Sequence, residues 1–236
     1  MSSTAMDYGI VSLPDWFKDL CDTNSGNNAP SSVILGTAGD KNSFILNVKE
    51  WEDEESRQLD GFKGTDFCHG STAPVRILKY FLHFSGGDEH AKLTAPVVFT
   101  PRAESGRGYC HGGSMCAVMD DAIGWMGFAY TGVVKPWVGF TVQVNTTLKK
   151  PVSVGSVLRL DASVERLEGE RKVWIKSSLV DPADTNVVFC TASGLFLIPA
   201  TKPSISSGVP SPSTPSLISP SSSTTELSSS TLNSVG

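Results

Sequence analysis

The alternation of apolar and polar positions becomes regular only after residue 75. Residues 75–84 form an apolar, aromatic run that predicts a strand, and Ser-Gly-Gly-Asp at 85–88 supplies turn residues. Residues 93–100 should then pair back as the second arm of a hairpin. Four further strand-like runs follow, at 138–148, 154–167, 172–180 and 187–198. Turn-forming residues at 169–170 and 182–184 separate the last three of these runs at hairpin-like intervals.

A long apolar segment lies between the hairpin and these four strands. Residues 114–130 are almost all small or apolar and have no polar face, which predicts a buried helix. Gly124 and Gly127 lower helix propensity and indicate close packing against a sheet or another helix. The order of elements predicts an α+β fold in which a curved antiparallel sheet surrounds a central helix. One helix cannot cover so large a sheet, so we expect the chain to pair with a second copy.

The two ends of the chain differ from this central part. Pro14 before the amphipathic residues 15–20 predicts a short helix, and residues 44–48 could form a strand. From residue 201 onward Ser, Thr and Pro dominate, which is typical of a disordered segment. We therefore predict an N-terminal extension of undefined structure at 1–70, a domain at 71–199 and a disordered tail at 200–236.

Composition and charge narrow the classes of function. The chain of 236 residues has a formal net charge of −5, which argues against a nucleic-acid-binding protein. It lacks the run of roughly 20 apolar residues that a membrane helix needs, and its first residues lack the features of a secretory signal. Five cysteines at irregular spacing favour a reducing compartment, with the cytosol as the default.

Two features of the predicted helix carry candidate chemistry. Asp120 and Asp121 lie midway along it, where a buried carboxylate is costly unless it is paired, so a functional carboxylate is favoured over a solvent-facing edge or an interface ion pair. The helix opens with His111-Gly112-Gly113. Unpaired N–H groups at a helix start favour negative charge, and glycines let a ligand oxygen approach, so this start could hold an oxyanion.

The spacing of these two features predicts a shared site. Asp120 follows His111 by nine residues, which places the two on opposite sides of a helix and roughly 13 Å apart along its axis. One chain could hardly bring them together. Two antiparallel copies could, with each helix start facing the aspartate of the other copy.

The stretch 108–120, Gly-Tyr-Cys-His-Gly-Gly-Ser-Met-Cys-Ala-Val-Met-Asp, resembles the H-G-G-x-x-x-x-x-x-D signature of hotdog thioesterases. The resemblance is closest to the phenylacetate-pathway type and the THEM acyl-CoA hydrolases. It extends over residues 75–198, where Leu-Lys-Lys-Pro at 148–151 resembles the family's Tyr-Lys-Arg-Pro. It implies a hotdog fold that hydrolyses an acyl thioester, such as acyl-CoA, to acid and thiol without a metal or cofactor.

The resemblance also implies roles for individual residues. Asp120 matches the nucleophile or general base, and Thr141 matches a threonine that holds the aspartate or its water. His111, Gly112 and Gly113 match the residues that bind the thioester. Asp121 departs from the family, which usually has a small residue there. Lys149 and Lys150 form a short basic run that could bind an anionic substrate, although the end of a solvated strand is an equal interpretation.

Other functions remain open at this stage. A hotdog fold could act on acyl groups carried by acyl carrier protein, as a thioesterase or a dehydratase, or could bind an acyl thioester without catalysis. Cys68-His69-Gly70 repeats the Cys-His-Gly that precedes the helix, which could indicate zinc or a cysteine nucleophile. Neither copy has the ligand spacing of a structural zinc site, so we interpret the repetition as coincidence. We expect a homodimer or a dimer of dimers, with acyl-CoA or an acyl-carrier substrate as its partner.

Overall fold

A computed structural model describes residues 12–23, 43–46, 67–70, 72–77, 79–84, 91–131 and 138–200. The predicted tail at 200–236 lies almost wholly outside them. Within these residues the α-helices are α1 (Asp15–Thr23) and α2 (Gly112–Tyr130), and a 3-10 helix spans Pro101–Ala103. The strands are β1 (Ser43–Leu46), β2 (Val75–Ile77), β3 (Tyr80–Phe84), β4 (Ala91–Phe99), β5 (Glu104–Gly106), β6 (Tyr109–Cys110), β7 (Phe140–Leu148), β8 (Val157–Glu168), β9 (Lys172–Val180) and β10 (Val188–Leu197).

An eight-stranded antiparallel sheet is packed against α2. Its order is β1-β3-β4-β8-β9-β10-β7, with β2 also beside β4. The helix contacts the five neighbouring strands from β4 to β7. Five strands span roughly 19 Å across the sheet, whereas a helix is roughly 10–12 Å wide, so the sheet curves around it. The predicted α+β fold, with a central helix and a curved antiparallel sheet, is confirmed.

Glycines allow the helix and the sheet to approach closely. A Cβ at Gly127 would lie 2.2 Å from the ring of Phe196 on β10, and one at Gly139 would lie 2.3 Å from the same ring. On β10, a Cβ at Gly194 would lie 2.5 Å from the Ile123 side chain of the helix. The close packing that the helical glycines predicted is therefore present at Gly127. This packing sets the distance between the helix and the sheet, and therefore the position of the exposed Asp120 relative to the neighbouring strands.

The single strand predicted at 75–84 is wrong in one respect, because the run is divided between β2 and β3. Ile77 pairs with Val97 on β4, whereas Phe81 pairs with Thr94, so the register shifts by one residue between the two short strands. On β4, Pro96 lies between the residues that pair with β2 and those that pair with β3, and proline has no N–H to donate to a neighbouring strand.

The described part of the N-terminal region contacts the same sheet. Helix α1 begins directly after Pro14, as predicted, and its Phe17 is fully buried in a small cluster with Cys21 and Phe81 of β3. Strand β1 pairs with β3 at the edge of the sheet. Within the described ranges, no helix is both long enough and apolar enough to cross a membrane.

Candidate active site

The start of α2 is capped by its own histidine. His111 is the N-cap residue, and its Nδ1 accepts a hydrogen bond of 2.8 Å from the Gly113 N–H. The His111 N–H donates to the carbonyl of Ala103 at 2.7 Å, which holds the cap against the preceding turn. Among the described residues the Gly112 N–H has no partner. Of the two glycines expected to bind an oxyanion, Gly112 therefore has the available donor.

Asp120 lies on an open cleft between α2 and the edge strand β7. The cleft has a volume of about 570 Å³. Thr141 of β7 lines the same cleft, and its hydroxyl group is the hydrogen-bonding neighbour that lowers the pKa of the Asp120 carboxylate. The hydroxyl oxygen of Thr141 lies over Gly124, one turn further along the helix, 3.8 Å from where a Cβ on that glycine would be. The other residues that line the cleft are Cys116, Ala117, Val142, Gln143, Val144 and Thr146.

The surroundings of Asp120 change its acidity. Partial removal from water raises the pKa of Asp120, the hydrogen bond from Thr141 lowers it, and the negative charge of Asp121 raises it, with a net upward shift. A raised pKa makes the carboxylate a stronger base, and a base works best when its pKa is near the operating pH. The side chain remains exposed in the single chain, so water can reach it.

Asp121 faces a different part of the protein. Its Oδ2 accepts a short hydrogen bond from the hydroxyl group of Tyr80 on β3 and lies 3.4 Å from Nε2 of His69. The same His69 nitrogen lies 3.2 Å from the Tyr80 oxygen. Sequence reasoning missed these partners. The repeated Cys-His-Gly at 68–70 is a sequence signal for this segment, but it does not indicate that its histidine lies beside a carboxylate. No metal-binding cluster of His, Cys, Asp or Glu is present among the residues described.

The two lysines lie near the helix start and away from Asp120. The N–H groups of Lys149 and Lys150 both donate to the carbonyl of Phe189, at 2.8 and 3.1 Å, and both residues are exposed. Just before them, the end of the Leu148 side chain lies 2.7 Å from where a Cβ on Gly112 would be. The lysines and the helix start are therefore neighbours at one end of β7.

The predicted site residues form two groups in a single chain. Asp120 and Thr141 lie together on the cleft. His111, Gly112, Gly113, Lys149 and Lys150 lie at the helix start, where none of them lines that cleft. Asp120 follows Gly112 by eight positions in the helix, which is roughly 12 Å along the axis. A thioester carbonyl bound at the helix start of this chain would thus be out of reach of its own Asp120.

Comparison with known families and proteins gives consistent results. Residues 107–174 match the model of the thioesterase superfamily, which confirms the resemblance inferred from the His-Gly-Gly motif. Over 97 residues the chain is 32% identical to mouse acyl-coenzyme A thioesterase THEM5, covering 41% of this chain and 36% of that protein. It is 26% identical over 197 residues to bovine acyl-coenzyme A thioesterase THEM4, covering 78% of this chain and 75% of the relative. The chain thus spans about a third of the length of the mouse relative.

Solved structures with a similar arrangement include thioesterases. Zebrafish thioesterase superfamily member 2 is 17% identical, with a TM-score of 0.44 over 65% of this chain and 99% of that one. A Streptococcus mutans protein solved with acetyl CoA is 13% identical, with a TM-score of 0.40 over 46% of this chain and 81% of the other.

Proposed function

We propose that this chain, which carries a domain of the thioesterase superfamily, hydrolyses an acyl thioester of the acyl-CoA class with Asp120 as its catalytic carboxylate. The observation that carries the proposal is the position of Asp120 within the matched stretch. Its carboxylate shares an open cleft with the hydroxyl group of Thr141 and has a raised pKa. A carboxylate in this setting can remove a proton from water or attack a carbonyl carbon directly.

The general-base route needs a base, a donor for the oxyanion and a residue that positions the base. Asp120 takes a proton from water, and the resulting hydroxide attacks the carbonyl carbon of the thioester. The carbonyl oxygen becomes an oxyanion, which the Gly112 N–H at a helix start can stabilise. The intermediate collapses with loss of the thiolate, which takes the proton from Asp120, so the base is regenerated and the products are a carboxylic acid and a thiol. Thr141 keeps the carboxylate aimed at the cleft throughout.

We propose further that two copies of the chain form each active site. The helix start and Asp120 are too far apart in one chain to act on the same carbonyl. Strand β7 supports pairing, because it pairs only with β10 among the described strands and exposes the apolar side chains of Phe140, Val142 and Leu148. An exposed apolar strand at a sheet edge tends to pair with another chain. A second copy with its helix antiparallel would bring its Gly112 near Asp120.

The basic pair near the helix start supports CoA as the carrier. Lys149 and Lys150 are exposed and lie beside the strand end that contacts Gly112, where they could bind phosphate groups of CoA. The relatives named acyl-coenzyme A thioesterases agree with this choice. The five cysteines are all free thiols, which fits a reducing compartment, and we propose the cytosol.

Turnover of purified protein tests the function. Acyl-CoAs of increasing chain length are incubated with the protein, and free CoA is measured with a thiol reagent. We expect hydrolysis of at least one acyl-CoA and slower hydrolysis of the same acyl group on a phosphopantetheine arm without the nucleotide. Binding without thiol release across the panel would favour a non-catalytic binding protein, and a faster reaction on acyl carrier protein would favour that carrier.

Sedimentation and subunit mixing test the shared site. A dimer of the Asp120→Asn variant mixed with a dimer of the Lys149→Glu, Lys150→Glu variant should regain activity, because a mixed dimer contains one intact site. A monomer that is fully active at the assay concentration, or mixing without any recovery, would contradict the shared site.

A further inference from the structure

Hydrogen bonds connect His69 to Tyr80 and Tyr80 to Asp121, which is next to the proposed base Asp120 in the helix. We propose that His69 and Tyr80 are positioning residues for hydrolysis, because they fix the Asp121 carboxylate and thereby the helical turn that carries Asp120. The inference rests on the proposed function. It makes residues 67–70 and β3, which precede the matched stretch at 107–174, part of the working site.

The direction of the hydrogen bonds follows from the number of protons. The hydroxyl group of Tyr80 has a single proton, which it donates to Oδ2 of Asp121. The 3.2 Å contact between Nε2 of His69 and the Tyr80 oxygen must then use a proton on the histidine nitrogen. His69 therefore donates to Tyr80, and Tyr80 donates to Asp121. Both of these hydrogen bonds are thus directed toward the Asp121 carboxylate, and Nε2 of His69 also lies 3.4 Å from its Oδ2.

The three side chains are held from several directions. The side chain of His69 is 6% exposed and that of Asp121 is 19% exposed, while Tyr80 is fully buried. Trp125, one turn after Asp121, lies 5.5 Å from the Tyr80 ring and meets the His69 ring edge-on at 6.3 Å between ring centres. The carbonyl of Cys68 accepts a 2.8 Å hydrogen bond from the Ile77 N–H, which ties the histidine segment to β2.

The held carboxylate is directly coupled to Asp120. The two residues are neighbours, so the helix directs them about 100° apart, one into the cleft and the other toward Tyr80. In the described part of the chain, the titratable groups that face Asp121 are His69 from the 67–70 segment, Tyr80 from β3 and Asp120 from its own helix. The negative charge at Asp121 helps to raise the pKa of Asp120, after the larger effect of burial.

Variants of Asp121 and Tyr80 separate positioning from simple structural support. Asp121→Asn removes the neighbouring negative charge, so we expect the acidic limb of the pH–rate profile to move to lower pH. Loss of the anchor should also lower kcat by roughly 2- to 30-fold with little change in KM. Tyr80→Phe should lower kcat in the same range in the native background and add little in an Asp121→Asn background, because Tyr80 acts through Asp121.

A matched control is Asp161→Asn. Asp161 is also a partly exposed carboxylate, at 32%, and it accepts hydrogen bonds from Thr94 and Arg159 on the sheet. We expect its removal to change the melting temperature without moving the pH–rate profile. If His69, Tyr80 and Asp121 had a purely structural role, Asp121→Asn would likewise change the melting temperature without moving the pH–rate profile. That result would overturn the inference.

A titration without substrate keeps the test independent of turnover. The carboxyl carbon of Asp120, followed by NMR in the full chain, should titrate at a lower pH in Asp121→Asn than in the native protein. An unchanged titration, with hydrolysis still dependent on Asp120, would overturn the inference and leave the proposed function standing. Full hydrolysis by Asp120→Asn would instead overturn Asp120 as the catalytic carboxylate of the proposed function. The positioning role of His69, Tyr80 and Asp121 would then be overturned as well.

Discussion

Replacing Gly127 by alanine tests how tightly the central helix is seated on the sheet. The new Cβ would lie 2.2, 2.4 and 2.6 Å from three ring atoms of Phe196, whereas carbon atoms in contact are about 3.5–4.0 Å apart. The ring would have to move by more than about 1 Å. It is fully buried, with Gly139 close on one side and the Phe128 ring at 5.4 Å between centres on another.

The magnitude follows from two opposing effects. Overpacking a filled core costs up to about 3 kcal/mol in such a position. Alanine gains about 1 kcal/mol over glycine in a helix interior. We therefore expect Gly127→Ala to lower the free energy of unfolding by about 2 kcal/mol, which corresponds to a fall in melting temperature of roughly 5–10 °C.

Gly124→Ala is the matched control for this prediction. Its Cβ would lie 3.8 Å from the Thr141 hydroxyl oxygen, an ordinary contact, so the helix propensity gain should leave the melting temperature unchanged or raised by a few degrees. Both variants are compared by thermal unfolding followed by circular dichroism. Equal melting temperatures for the two variants would refute the packing that we describe between α2 and Phe196.

Three further predictions concern the site, the edge strand and the tail. Thr141→Val removes the hydrogen bond that lowers the pKa of Asp120, so its pKa should rise and the acidic limb of the pH–rate profile should move to higher pH; a shift to lower pH would contradict the assigned contact. Phe140→Asp on the exposed edge of β7 should give a folded monomer with much reduced activity in sedimentation and turnover assays, and an active dimer would exclude this edge as the interface. Truncation after Thr201 should leave both melting temperature and hydrolysis nearly unchanged, whereas a large loss of either would show that the tail docks.

The helix and most of the sheet could be predicted because their patterns are local and strong. Residues 114–130 are apolar on every side, and the predicted strands from 138 to 198 correspond to β7–β10 with ends that differ by a few residues. The division between β2 and β3 could not be read from their own run. The change of register depends on how each short strand pairs with β4, and this pairing is non-local.

The candidate site was predictable to a different extent. Asp120 stood out because a carboxylate on an apolar helix needs an explanation, and the resemblance then suggested Thr141. The partners of Asp121 were out of reach, since Tyr80 is 41 residues away in sequence and the contact depends on how β3 meets the helix. The hydrogen bond from the Gly113 N–H to Nδ1 of His111, which leaves only Gly112 with an available donor, joins residues close in sequence. It still could not be predicted, because it depends on a side-chain orientation that the sequence does not specify.

The ranking of the two neighbouring aspartates under saturating acyl-CoA tests the central claim most directly. Asp120→Asn keeps the shape of the side chain and removes the base, so thiol release should fall by a factor of roughly 10² or more while binding of a non-hydrolysable acyl-CoA analogue is retained. Asp121→Asn should lose less, because its side chain points toward Tyr80 and away from the cleft. Abolished turnover in Asp121→Asn together with retained turnover in Asp120→Asn would contradict the assignment of Asp120 as the catalytic carboxylate.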